Sequence, residues 1–441
     1  MKILMYSWEF PPMIAGGLAM ACYGMVKSLL KKGIEVDLVL PTKELVYFAL
    51  RKVEDADTLP VVFLDPSKQL AYQAISFKNV ESKLEYVGVS SFPGTYTTPG
   101  FDEKWYGLIN SFSSKMISTL HEPATLDERI LRNITQYLVG EEDIIKKVQE
   151  IAARAYRYAS ELQYDLIHAH DWLTYPAGVI TRKLSNKPLI AQIHATEFDR
   201  AGGYGDARIH HLESDGMSYA DMVLAVSKYT ANMIISRYRI DSGKIRILHN
   251  AYDVAKIPEK RERLFKHPTV LFLGRITIQK GPDVFLEVAN RVSKLNPNAR
   301  FIVAGSGDMA RKMLHKSAAL KMRNRFIFAG FLNRKQVEEI FNCVDIFVMP
   351  SISEPFGIVP LEAMAYGVTA VISKQSGVSE VIENAYKVDY WDLNKMTDMI
   401  DYLIKNPDKC KEIGNAGREE VLKIGWDEVA DKLIAYYNEF R

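Results

Sequence analysis

IFVMPSISEPFGIVPLEAMAYG, running from Ile346 to Gly367, holds one complete passage from strand to helix. Ile346 to Met349 is a short apolar run, Pro355 and Gly357 make a turn, and an apolar-periodic helix follows. The backbone N–H groups of Gly357, Ile358 and Val359 would stand without intrahelical partners at that helix start, which favours an anion. Glu354 falls on the loop and Glu362 on the helix, eight positions apart. One turn into the helix, a carboxylate such as Glu362 can hold a pair of ribose hydroxyls. A single glutamate on such a loop is ordinarily just solvated, but the whole run reads as a binding site.

The same strand-helix rhythm extends in both directions. Ile3 to Ser7, Val36 to Leu40, Leu166 to Ala169, Leu189 to His194 and Met222 to Val226 read as strands, separated by helical patterns such as Leu18 to Lys32 and Glu141 to Glu161. After the charged, aperiodic stretch Ala255 to His267, read as a linker, the rhythm restarts. Its strands are Val270 to Leu273, Phe301 to Ala304, Phe326 to Ala329, Ile346 to Met349 and Ala370 to Ser373. Alternation of this kind predicts parallel α/β sheets. Ligands of such sheets collect beyond the carboxyl ends of the strands, where most of the unusual polar residues of this chain fall. Leu70 to Ile130 breaks the rhythm, mixing aromatics with Ser, Thr and Gly, and reads as an insertion or a long functional loop.

The chain has 441 residues, enough for two domains of about 200 each. Lys and Arg number 56 against 54 Asp and Glu, a net charge of +2, which argues against nucleic acid as the main partner. Cys22, Cys343 and Cys410 are too far apart to suggest a disulfide framework or a metal-ligand spacing, and fit a reducing, cytoplasmic setting. The short apolar run at the N-terminus reads as a strand rather than a signal peptide, and no apolar stretch approaches a membrane span.

Other candidates follow predicted strands. In LFLGRITIQKGPD, from Leu271, Arg275 and Lys280 can offer two cations to one diphosphate, or be solvated surface charges. Gly16 and Gly17 precede a helix, where the backbone can approach a phosphate or simply turn tightly. In LIHAHDW, from Leu166, His168, His170 and Asp171 could ligate a metal, but neutral histidines hydrogen-bonding a sugar, or capping a strand end, suit the position better. His194, Glu197, Asp199 and Arg200 come after the next strand and could line the same crevice. Asp55-Ala56-Asp57 has the DxD form of metal-dependent transferases, but it lies in a charged stretch without a preceding strand and reads as surface. No GxGxxG follows the first strand, and no GxxxxGK[ST] or GxSxG is present.

Together these pieces resemble retaining GT-B glycosyltransferases, nearest the glycogen/starch synthase and GT4-type group. The likeness runs from WEFPPMIAGGLA through HAHDW, IHATEFDR, VSKYT, LHNAYD, LGRITIQKG and SEPFGIVPLEAMAYG to WDEVADKLIAYY. It implies two Rossmann-like domains facing across a cleft. Residues 1–253 would form the acceptor side, 254–425 the nucleotide-sugar side, and 426–441 would cross back onto the first domain. It matches Arg275 and Lys280 to the phosphate-binding pair and Glu354 to the carboxylate near the transferred sugar. Gly357, Ile358 and Val359 match the donor-binding amides, and Glu362 the ribose ligand. Gly16 and Gly17 match the diphosphate loop, and His170, less surely His168, the histidine beside the sugar O6. His168, Asp171, His194 and Glu197 are left as acceptor-side candidates.

The implied reaction moves a hexose, such as glucose from UDP- or ADP-glucose, to a glycan with retention, needing no metal or other cofactor. Two departures stand out, and the first favours a GT4-type member over the bacterial glycogen synthases proper. Met13, Ile14 and Ala15 stand where those have the Lys of a KxGGL pattern, and Asn250-Ala251-Tyr252-Asp253 replaces an NGVD-like element. A lipid or small-molecule acceptor, a GT-B epimerase or phosphorylase, and a non-catalytic sugar-nucleotide-binding protein are the alternatives.

Overall fold

The computed structural model describes residues 1–10, 17–40, 138, 143–253 and 265–441, with the short strands 46–47, 61–62, 76–77, 80–81 and 84–88. Its frame is two parallel sheets, one of seven strands and one of six. Each starts in its own middle. Lys2–Tyr6 lies between Glu35–Leu40 and Leu166–His170, and the sheet grows outward from there through Leu189–Ile193, Met222–Ala225 and Ile245–Ile247. Thr269–Leu273 likewise lies between Arg300–Ala304 and Ile346–Met349, with Thr369–Ser373 and Tyr386–Val388 beyond. The central strands are continuous apolar runs because helices cover both faces: Leu166–His170, Leu189–Ile193, Ile346–Met349 and Thr369–Ser373 are buried throughout.

These are two Rossmann-like α/β units, and the predicted strands agree with the observed ones to within a residue or two at each end. Three strands of these two sheets escaped the periodicity. Ile245–Ile247 and Tyr386–Val388 have only three residues each, too few to show a pattern. Leu84–Gly88 corrects the reading of Leu70 to Ile130 as pure insertion, because it pairs in parallel with Glu35–Leu40 as the edge of the seven-stranded sheet. Apart from the short strands 76–77 and 80–81, the rest of that stretch, most of the Ala255 to His267 linker, and Asp55 to Asp57 lie outside the described residues.

The last helix, Trp426–Asn438, packs on the first, Gly17–Lys31. Trp426, Ala430, Leu433 and Tyr437 join Met25, Leu29 and Leu30 in one apolar cluster. Polar contacts frame it: Ser28 Oγ donates to Asp427 at 2.7 Å, and Lys32 pairs with Asp431 at 2.6 Å. Gly24 lets the Trp426 ring lie against the first helix, since a Cβ there would come within 2.3 Å of the indole. Inside a helix, Gly to Ala ordinarily stabilises by about 1 kcal/mol. Here Gly24→Ala is expected to destabilise by about 1–3 kcal/mol through overpacking, read from denaturant midpoints. A stabilised variant would contradict this docking.

Candidate active site

One wall of a cleft between the two sheets is built at the point where connections from Thr269–Leu273 and Ile346–Met349 part to opposite faces of their sheet. The loop after the first strand carries Arg275, Gln279 and Lys280, and the loop after the second carries Ser351 to Gly357. The two loops are joined backbone to backbone: Ile352 N donates to Gln279 O at 2.9 Å. Gly281, at φ 64°, makes the approach possible, because a Cβ would lie 2.2 Å from the carbonyl oxygen of Pro350. Pro282 then opens a helix. Arg275 Nη2 donates to the buried Gln279 Oε1 at 3.1 Å, which aims the guanidinium along the wall.

Glu354 is buried and held on every side. Its N–H donates to Gln375 O and its carbonyl accepts from Gly377 N, each at 2.9 Å. Its carboxylate accepts from Ser351 Oγ at 3.2 Å and forms an ion pair with Lys280 Nζ. Gly357, at φ 95°, begins the helix Ile358–Ala365, and Gly357, Ile358 and Val359 line the cleft.

The opposite wall comes from the seven-stranded sheet. Gly17 opens its helix directly across from Ile358, 3.8 Å from its Cδ1 to an ideal Cβ position. Asp171, at φ 59°, ends the strand Leu166–His170 in a conformation that costs a non-glycine residue energy, as is common at functional sites. Its Oδ1 accepts from His194 N at 2.7 Å. Thr196 and Asp199 cap a short helix reciprocally and so fix Glu197 and Arg200. Arg200 donates to Glu197, to Glu213 and to Ala195 O. Burial opposes its charge, but Glu213, Asp171 and Glu197 outweigh burial and hold the guanidinium protonated. Trp8, Trp172, Leu173 and Asn250 complete a cleft of about 590 Å³.

The walls are tied together behind the cleft. Ser227 Oγ donates to Pro355 O at 2.6 Å, Tyr229 OH lies 3.0 Å from Ser353 Oγ, and Ser353 donates to Asp199. Glu380 accepts from the amides of Lys228 and Tyr229, each at 2.8 Å, and faces His249 Nε2 at 3.0 Å. Burial pushes the Glu380 carboxyl up, but His249 and those amides outweigh it and hold it below the usual range.

Of the residues singled out in the sequence, Gly17, Asp171, His194, Glu197, Arg275, Lys280, Glu354, Gly357, Ile358 and Val359 all line this one cleft. Gly16 lies outside the described residues. Glu362 sits one turn into its helix, partly buried and not among the residues lining the cleft. His168 and His170 are the main departure. Both are fully buried, pointing between the sheet and the first and last helices rather than into the cleft. His168 Nδ1 meets Tyr437 OH at 2.8 Å, and His170 stacks between His168 and His194. Burial and the neighbouring His194 push His168 down to about 3, and burial with both neighbouring imidazoles lowers His170 well below its usual value. The ring that reaches the cleft is His194. Alternation along the strand explains this: positions 168 and 170 share one face, and here that face is interior. Gln279, Ser353 and Glu380 were not singled out. Their roles rest on contacts between residues far apart in the chain, which no local pattern signals.

Comparison with known proteins gives the class. The family description "Glycosyl transferases group 1" matches residues 253–420, "Glycosyltransferase Family 4" matches 116–256, and "Starch synthase catalytic domain" matches 2–108. An uncharacterized glycosyltransferase of Methanocaldococcus jannaschii is 26% identical over 99% of this chain and 98% of its own length. A glycogen synthase of Mycobacterium tuberculosis is 27% identical over 50% of this chain and 54% of its own. The Anabaena protein HepE, solved in complex with UDP and glucose, superposes with a TM-score of 0.65 at 14% identity, covering the whole of both chains. The chain has the GT-B fold and is a glycosyltransferase enzyme, whose successive segments resemble the starch synthase, family 4 and group 1 models.

The close approach of the two C-terminal loops can be tested by stability. Gly33, at φ 82° with nothing within 4 Å, serves as control for Gly281. Gly33→Ala is expected to cost about 1–2 kcal/mol for its left-handed backbone alone, and Gly281→Ala clearly more. Equal losses in denaturant unfolding would contradict the contact with Pro350.

Proposed function

We propose that this enzyme transfers a hexose from a nucleoside diphosphate sugar to a glycan acceptor, with retention of anomeric configuration. The observation that carries the reading is the convergence of Arg275, Lys280, the Gly357–Val359 amides and buried Glu354 in one cleft between two Rossmann-like sheets. Breaking a sugar–phosphate bond places negative charge on the departing diphosphate. Two side-chain cations and a helix N-terminus, fixed in place beforehand, stabilise that charge as it develops. This arrangement supplies the role a divalent ion has elsewhere, so the reading calls for no metal in the transfer step. Bidentate Arg275 would grip the diphosphate and Lys280 act as a point charge.

In the ligand-free arrangement Lys280 is paired with Glu354. On donor binding Lys280 turns to phosphate, and Glu354 is released toward the sugar, where its negative charge steadies an oxocarbenium-like centre. Glu362 is assigned the ribose by resemblance. Asp171, His194 and Glu197 form the acceptor side, while His170 acts from behind His194 rather than by touching sugar. The complex of HepE with UDP and glucose, and the kinship with a glycogen synthase, support the donor class and a glucan-like acceptor. Among the described residues no helix is long and apolar enough to cross a membrane.

Lys280→Ala is expected to lower turnover about 10²- to 10³-fold, the scale of losing one charge-stabilising donor, while the protein still folds. The assay is nucleoside diphosphate release with the nucleotide sugar that a thermal-shift screen selects. Near wild-type turnover at saturating donor would contradict the phosphate role.

A further inference from the structure

Behind the acceptor-side wall, three side chains that sequence spacing could not connect meet at one point. Cys22 comes from the first helix, His170 from the end of Leu166–His170, and His194 from just after Leu189–Ile193. Cys22 and His170 are 148 positions apart, and His170 and His194 are 24 apart. Cys22 Sγ lies 3.6 Å from His170 Nδ1, and His170 Nδ1 lies 3.0 Å from His194 Nε2. The three atoms all fall within 4.8 Å of one another.

We propose that Cys22, His170 and His194 bind one thiophilic divalent cation of the zinc class, through Sγ, Nδ1 and Nε2 respectively. A tetrahedral zinc with Zn–S of about 2.3 Å and Zn–N of about 2.0–2.1 Å separates S from N by about 3.6 Å and N from N by about 3.3 Å. The Sγ–Nδ1 distance meets that figure, and the two imidazoles need to part by only a few tenths of an ångström. A thiolate and two neutral imidazoles are a donor set that selects zinc over calcium or magnesium. Among the described residues the distant ring nitrogens, His170 Nε2 and His194 Nδ1, have no hydrogen-bond partner, so no other bond there fixes either tautomer against ligation. Ser7 Oγ, 3.2 Å from Cys22 Sγ, can donate to the thiolate and tune it from outside the ligand set.

Binding is a simple exchange without oxidation or reduction. Cys22 gives its proton to solvent, the hydrogen bond between the two imidazoles is lost, and three metal–ligand bonds form. A water takes the fourth position. The cation would pin the first helix, whose Gly17 faces Ile358, to two strand ends of its own sheet. It would also fix the one imidazole of the three that lines the cleft. Its role is to position these groups, and it stands apart from the diphosphate end of the reaction.

The test is cobalt titration of the full chain after chelator treatment. One equivalent of Co²⁺ is expected to raise a thiolate-to-cobalt charge-transfer band and tetrahedral d–d bands, and Zn²⁺ to abolish them by competition. Zinc should also raise the unfolding temperature, since the three ligands meet only in the folded chain. Cys22→Ser should lose the charge-transfer band, whereas Cys343→Ser and Cys410→Ser should keep it. Absence of the band in wild-type protein at a large excess of cobalt, or its survival in Cys22→Ser, overturns the proposal. Because the readout is spectroscopic, it is independent of any donor or acceptor.

Discussion

A parallel sheet that begins with its central strand must send its connections to opposite faces, so that beyond the carboxyl ends of the two middle strands the chain parts and leaves a crevice. Both sheets of this protein obey that constraint, the first between Lys2–Tyr6 and Leu166–His170, the second between Thr269–Leu273 and Ile346–Met349. The loops and helix starts that rise from the two crevices face each other, Gly17 against Ile358. Everything chemically distinctive in the cleft depends on this meeting. Two helix starts, at Gly17 and Ile358, line it, and the loops of the six-stranded sheet supply two cations and one buried carboxylate.

The crevices must also be held in register, and the hydrogen bonds that do so are concentrated on the loop that carries Glu354. Pro355 O, Ser353 and the neighbouring Glu380 receive or give bonds to Ser227, Tyr229, Asp199 and His249. The loop that would hold the donor is therefore the one that feels the acceptor side. From the other end, Trp426–Asn438 is clamped to Gly17–Lys31 by apolar packing over Gly24.

Much of this was legible in the sequence, and for identifiable reasons. Long apolar runs bounded by Gly and Pro reveal central strands, because burial on both faces leaves no room for polar residues. SISEPFG was legible as a site because a turn, a helix start and a carboxylate coincide within a few residues. Edge strands such as Tyr386–Val388 were not, since three residues carry no period. His168 and His170 were seen as polar residues at a strand end, which is correct, but the direction they face depends on Tyr437 and Cys22, both far away in the chain. The same limit hid Gln279, whose work is to join Arg275 to the neighbouring loop. Local patterns report the elements of a site, whereas the facing of each side chain is decided by packing.

The claim on which the rest turns is that the cleft cleaves a sugar–diphosphate bond and passes the sugar on. It is tested most directly by incubating the full chain with UDP-, ADP- or GDP-glucose and a maltooligosaccharide, without added divalent ion, and following nucleoside diphosphate together with acceptor mass. The account predicts acceptor-dependent release from at least one donor, with the acceptor gaining one hexose. No release from any sugar nucleotide, with exchange between glucose 1-phosphate and inorganic phosphate instead, would contradict it.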